Sequence, residues 1–222
     1  MTKDGRPSRI NDIRLFIGDR SVSSSYLKGQ EEAVAYARRI AWLLNGEEFS
    51  LGAYPALYVL FTQSLQPGVI RVTDEGGDWW QRYVHVGVTT DFPNITDAFD
   101  VATRGIVDSL LAVRPDQVDI IRHADAIVRQ HGNDLRFLLK RRELSKLIVE
   151  ISVNIAAWPT RSHLFMAHID KATNVYFEAD PIPMMFYSEG FDLVGGLRLQ
   201  DAKNLKEVPS LPPMSKKVNI RR

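Results

Sequence analysis

The chain predicts an α+β fold: a single globular domain over residues 1–200, with a largely antiparallel sheet backed by amphipathic helices. Three observations predict it. Strand-like segments follow one another through mostly hairpin-length links, and helical segments are inserted in two blocks. At 222 residues and 45% hydrophobic, the chain can also bury a substantial core. Residues 201–222, ending "EVPSLPPMSKKVNIRR", are basic and Pro-rich and read as an extended tail.

In order, "DIRLFI" at 12–17 alternates Ile13, Leu15 and Ile17 with Arg14 and Phe16, a first strand. After the polar loop "GDRSVSSS", residues 30–45 form an amphipathic helix with Ala33, Ala37, Ile40, Ala41 and Leu44 on one face. Glu31 and Glu32 suit its positive N-terminal end, and Gly46 stops it. Runs at 56–62 and 69–73, divided by "QSLQPG", join a strand at 79–90 in a three-stranded meander. The last two meet at "DEGGD", whose glycines suit a tight hairpin turn.

Thr96 or Asn94 caps a helix over 97–113, where Phe99, Ala102, Ile106, Leu110 and Val113 keep helical spacing before Pro115. Two further helices, 116–130 and 134–145, divide at "HGN". The stretch "LIVEISVNIAA" at 147–157 is a strand, with Leu147, Val149, Ile151, Val153 and Ile155 on one side and Glu150, Ser152 and Asn154 on a wetter one. A hairpin at 163–169 and 174–179 turns at "DKAT", and a last strand falls at 193–199.

The chain has no cysteine, which excludes disulfides, thiolate metal sites and cysteine nucleophiles. The N-terminus lacks an apolar signal core, and the longest apolar run, "ALYVLF", is of strand length. A soluble, cytoplasmic protein with no membrane segment is expected. The net charge of +1 hides an asymmetry: 203–222 holds six bases against Glu207, leaving 22 bases and 26 acids elsewhere. The acid excess of the body speaks against nucleic acid as a partner, except through the 203–222 tail. Seven bases in 122–146 read as a solvated helix face, whereas 74–100 carries six acids against Arg82.

No GxGxxG, P-loop, HExxH or GxSxG signature occurs, so no cofactor, metal or catalytic residue is assigned. His163 and His168 fall on opposite faces of their strand, and the spacing of His123 with Asp125 and His131 is of a chance kind. Glu150 in "VEISVN" has Ser152 where a restriction-type nuclease needs lysine.

The stretch "DEGGDWWQRYVHVGV" at 74–88 carries the sharper signal. Alternation places Trp80, Val84, Val86 and Val88 on a core face, interrupted by Arg82, and Trp79, Gln81, Tyr83, His85 and Gly87 on the other. If a helix covers that second face, Trp79 is core. If it is open, Asp74, Glu75, Asp78, Trp79, Tyr83 and His85 make a partner-binding patch, an aromatic anchor rimmed by carboxylates.

The hairpin "VIRVTDEGGDWWQRYVHVGV" followed by the helix "TDAFDVATRGIVDSLLAV" resembles the immunity proteins encoded beside bacterial polymorphic toxins. The resemblance implies a cytoplasmic α+β binding protein that neutralises a cognate toxin by direct contact. It transfers no motif residue by residue, and the basic tail departs from the acidic balance common among nuclease inhibitors. Two alternatives stand beside it: an enzyme with a site assembled from His85, Glu150 and His168, and an assembly protein whose tail contacts nucleic acid or another subunit.

Overall fold

The computed structural model describes residues 7–19, 24–73, 80–196, 206–207 and 218–219. The chain divides into two compact units, Met1–Gln130 and His131–Arg222, and each builds its own sheet. In place of one sheet over 1–200 there are therefore two.

The first unit holds strands β1 (Asp12–Ile17), β2 (Ser25–Tyr26), β3 (Ala56–Thr62), β4 (Ile70–Thr73) and β5 (Gln81–Gly87), with helices α1 (Glu31–Gly46), α2 (Ala98–Val113) and α3 (Val118–His131). The strand order is β2-β1-β3-β5-β4. Strands β1, β3 and β5 run parallel, and β2 and β4 pair antiparallel at the edges. The expected meander is thus corrected, because β5 lies between β3 and β4. The physical reason is in the strands themselves. Every residue of "ALYVLFT" is buried, the pattern of a central strand covered on both faces. The four-residue β4 has no fully buried position and suits an edge.

Helix α1 crosses from β1 to β3, and α2 follows β5 onto the sheet. A Cβ on Gly105 of α2 would stand 2.9 Å from the Phe61 ring and 3.1 Å from Val86, so glycine there sets how closely the helix approaches. The helical face expected for α1 is buried as read, but Ala35, Tyr36, Trp42 and Leu43 are buried as well. Its flank packs on the other helices: Tyr36 meets Phe99 edge-on at 6.4 Å, and its hydroxyl donates to Asp125 of α3 at 2.5 Å. Asp125 also accepts from Arg129 Nε at 2.7 Å.

Burial, reinforced by the bond to Asp125, pushes the Tyr36 hydroxyl well above its ordinary pKa of 10.0. An unfolded tyrosine ionises near that value while the folded one keeps its proton. The group's contribution is therefore full below pH 10 and falls away above it. Tyr36→Phe is expected to cost about 1–2 kcal/mol at neutral pH. In urea titrations, its deficit relative to the wild type should narrow as pH rises beyond 10.

The second unit holds β6 (Arg136–Glu143), β7 (Leu147–Asn154), β8 (Ser162–Asp170), β9 (Tyr176–Glu178), β10 (Ile182–Met184), β11 (Lys206–Glu207) and β12 (Val218–Asn219), with helix α4 (Glu189–Gly196). The order is β11-β9-β8-β7-β6-β12, with β10 also on β8. Among the described pairings only β12 with β6 is parallel. The β7 strand and the β8–β9 hairpin are where the sequence puts them.

The helix expected over 134–145 is corrected to β6. Its register against β7 shifts between Leu138 and Lys140, so a bulge at Leu139 brings three apolar residues, "FLL", together and hides the period of two. The strand expected at 193–199 is corrected over its described part, where the chain is helical from Glu189 to Gly196. The Glu189 carboxylate accepts the Phe186 amide at 3.1 Å and the Met185 amide at 3.4 Å, which ties the preceding turn to the start of the helix. Of the tail, only β11 and β12 are described, as two-residue edge pairings on β9 and β6.

Candidate functional site: an aromatic sheet face

In the first unit, α2 packs on the face that carries Phe61 and Val86. The pairing register puts Arg14 and Phe16 of β1, Tyr58 and Leu60 of β3, and Tyr83 and His85 of β5 on the opposite face. There the rings form one continuous group. Phe16 stacks on Tyr26 at 4.7 Å and on Tyr58 at 5.2 Å. Tyr58 in turn meets Tyr83 at 5.3 Å and Trp80 at 5.9 Å, both edge-on. The Arg14 guanidinium lies 5.6 Å from the Tyr58 ring centre and bonds Asp12 at 2.6 Å. A second arginine, Arg38, also pairs with Asp12.

Tyr58 is the hub, 6% exposed, while Tyr26 is 58% exposed and Phe16, Trp80 and Tyr83 are half-buried around it. Burial raises the Tyr58 hydroxyl above its ordinary pKa, with Arg14 acting against it. The Tyr83 hydroxyl donates to the Gln81 side chain.

Of the residues expected to bind a partner, Tyr83 lies in this group, and His85 lies on the same face but is only 6% exposed. His85 therefore belongs to the body of the sheet and offers little surface to a partner. Asp74, Glu75, Asp78 and Trp79 lie outside the described residues. Trp80 is corrected. Alternation assigned it to the side of Val84, but β5 begins only at Gln81, and the Trp80 ring turns instead to Tyr58. Phe16, Tyr26 and Tyr58 were not foreseen, because only the pairing of three separate segments brings them together.

Of the alternative enzyme site, His85 belongs to the first unit, and Glu150 and His168, both in the second, face opposite ways. Glu150 pairs with Ala167, so the next residue, His168, points to the other face and stacks on Phe177 at 4.7 Å. Glu150 itself is 7% exposed and stands 3.5 Å from Arg141. On its face Arg136 lies 3.6 Å over the Phe165 ring and bonds Glu178 at 2.5 Å, and Tyr176 donates to Glu178 at 2.7 Å. Burial and Glu178 push the Tyr176 hydroxyl up. This is a paired ionic network. The side expected to be wetter is covered: Ser152 is 4% and Asn154 9% exposed.

His163 and His168 lie on opposite faces, and Asp125, near His123 in sequence, is engaged by Tyr36 and Arg129. Among the described residues no group of three His, Asp or Glu is placed to hold a metal ion. No helix among them is long and apolar enough to cross a membrane. Compared with protein-family models, curated proteins and solved structures, the chain matches none.

Proposed function

We propose that this is a binding protein that captures a partner protein on the aromatic face of its first unit, and that the partner is a cognate toxin neutralised by being held. The observation that carries the reading is the ring group Tyr26–Phe16–Tyr58–Tyr83/Trp80, buried at its hub and open at its rim. Rings already ordered by a buried neighbour lose little freedom on binding and bring large contact area, the combination found at interface hot spots. The acids Asp74, Glu75 and Asp78 stand two to six residues before Trp80 in the chain and favour a basic partner surface. The resemblance to immunity proteins supplies the class of partner.

The test is affinity capture from the native host with identification by mass spectrometry, run in parallel on the wild type and Tyr26→Ala. Tyr26 is chosen because its exposure lets it be truncated without opening the core. A toxin domain retained by the wild type and lost by the variant is the expected result. Equal retention by both contradicts the aromatic face as the site, and a captured protein without toxic activity contradicts the class of partner.

A further inference from the structure

We infer that the first unit carries a small-molecule site for an organic ammonium, in the cavity beyond the C-terminal ends of β1, β3 and β5. This inference is independent of the aromatic face. The cavity, about 330 Å³, is walled by Ile17, Phe61, Val88 and Phe92, with Asp19 and Ser64 among its polar lining. Ligand crevices form at the carboxyl ends of parallel strands in α/β sheets because loops diverge there from a rigid frame.

The hydrogen bonding at this cavity selects the ligand's chemistry. Thr62 donates its hydroxyl proton to Asp19 Oδ1 at 2.6 Å, and Ser64 donates to Asp19 Oδ2. Thr62 Oγ1 also accepts the Ser64 amide at 3.0 Å. Both hydroxyl protons are thus engaged by the carboxylate. What these side chains still offer is acceptor capacity alone: the remaining lone pairs of Asp19 and of Ser64 Oγ. Gln63 donates one of its two Nε2 protons to the Thr90 carbonyl at 3.2 Å, so this side chain can both donate and accept. At Asp19 and Ser64 a ligand has to bring the protons.

Charge and shape agree. The Ser64 and Thr62 bonds, with a smaller effect of His85 and Arg71, hold the Asp19 carboxyl below its ordinary range, so it is ionised at neutral pH. The Phe61 and Phe92 rings, packed 5.1 Å apart and both buried, give the cavity an apolar wall. The adjoining cavity, about 460 Å³, shares Val88 and is lined by Asp91, Asp97 and Asp108 against Arg104. The lining of this second cavity is therefore net acidic, while at Asp19 itself His85 and Arg71 already supply part of the positive charge. A protonated amine on a hydrocarbon or aromatic body satisfies the acceptors, the carboxylate and the rings together.

The experiment uses the full chain and three probes of one shape: phenethylammonium, its neutral counterpart 2-phenylethanol, and the anion phenylacetate. Binding is followed through backbone amide shifts of Gly18, Asp19, Gln63 and Ser64 at neutral pH. The ammonium is expected to shift these amides and to bind at least tenfold more tightly than the alcohol, with no binding of the anion. Asp19→Asn is expected to weaken it at least tenfold. Should that variant fail to fold, the comparison of ammonium with alcohol on the wild type decides alone. Equal binding of the two, no binding of either, or shifts confined to other amides overturns the inference.

Discussion

Gly87→Ala is expected to destabilise the first unit by about 3 kcal/mol or to prevent its folding. A Cβ at this position would lie 1.9 Å from the Gln66 carbonyl oxygen, 2.7 Å from its carbon and 3.0 Å from the Leu65 oxygen. All three are backbone atoms, so no rotamer change relieves the overlap. Nor can the loop move aside freely. Gly68 donates to the Gly87 carbonyl at 2.9 Å, and the Gly87 amide donates to Val69 at 2.8 Å. Displacing the loop breaks the bonds that seat it against β5. Gly68→Ala is the control: its surroundings are open, and only its φ of 81° resists a side chain. Its cost should be about 1 kcal/mol. Urea unfolding ranks the two, and a Gly87→Ala variant as stable as Gly68→Ala would show that the loop is not seated this way.

Glu178→Gln carries the second large effect, in the other unit. Glu178 accepts from Arg136 and from Tyr176, and the ion-pair side chains are only 10% and 18% exposed for Glu178 and Arg136. Removing the carboxylate's charge while keeping its volume leaves the Arg136 guanidinium against Phe165 with no opposing charge from Glu178. Breaking one partner of such a covered pair costs about 3 kcal/mol, mostly for the charge left behind. Arg136→Met combined with Glu178→Gln should be less destabilising than the sum of the two, with a coupling above about 1 kcal/mol in a double-mutant cycle. Strict additivity would mean that the two charges do not depend on each other.

These two sites show what the sequence could and could not tell. Helices α1 and α2 were legible because their apolar stripes repeat at helical spacing against one packed side. Strand β7 was legible from its alternation over 149–154, and the β8–β9 hairpin from the turn residues "DKAT" between two strand-length runs. Strand β6 was not, since one bulged residue erased its alternation. The parallel pairing of β3 with β5 was not legible either. Local pattern says that a strand is buried, whereas the partner is chosen by the path of the chain. The same limit governs the candidate site. Tyr83 was visible as an aromatic on a mixed strand, but Phe16 sits in a polar position of "DIRLFI" and Tyr58 in an apolar run. Only the registers Phe16↔Leu60, Tyr58↔Tyr83 and Phe16↔Tyr26 gather them. Trp80 was misplaced because alternation was extended one residue beyond the strand that enforces it.

The central claim is that the open rim of the aromatic group binds a protein partner. Its most direct test is the affinity of the captured partner for Tyr26→Ala by calorimetric titration, with folding verified on the same sample. The account predicts a loss of about 2 kcal/mol, roughly thirtyfold in Kd, with unfolding stability close to that of the wild type. An unchanged Kd in a fully folded Tyr26→Ala protein would contradict it.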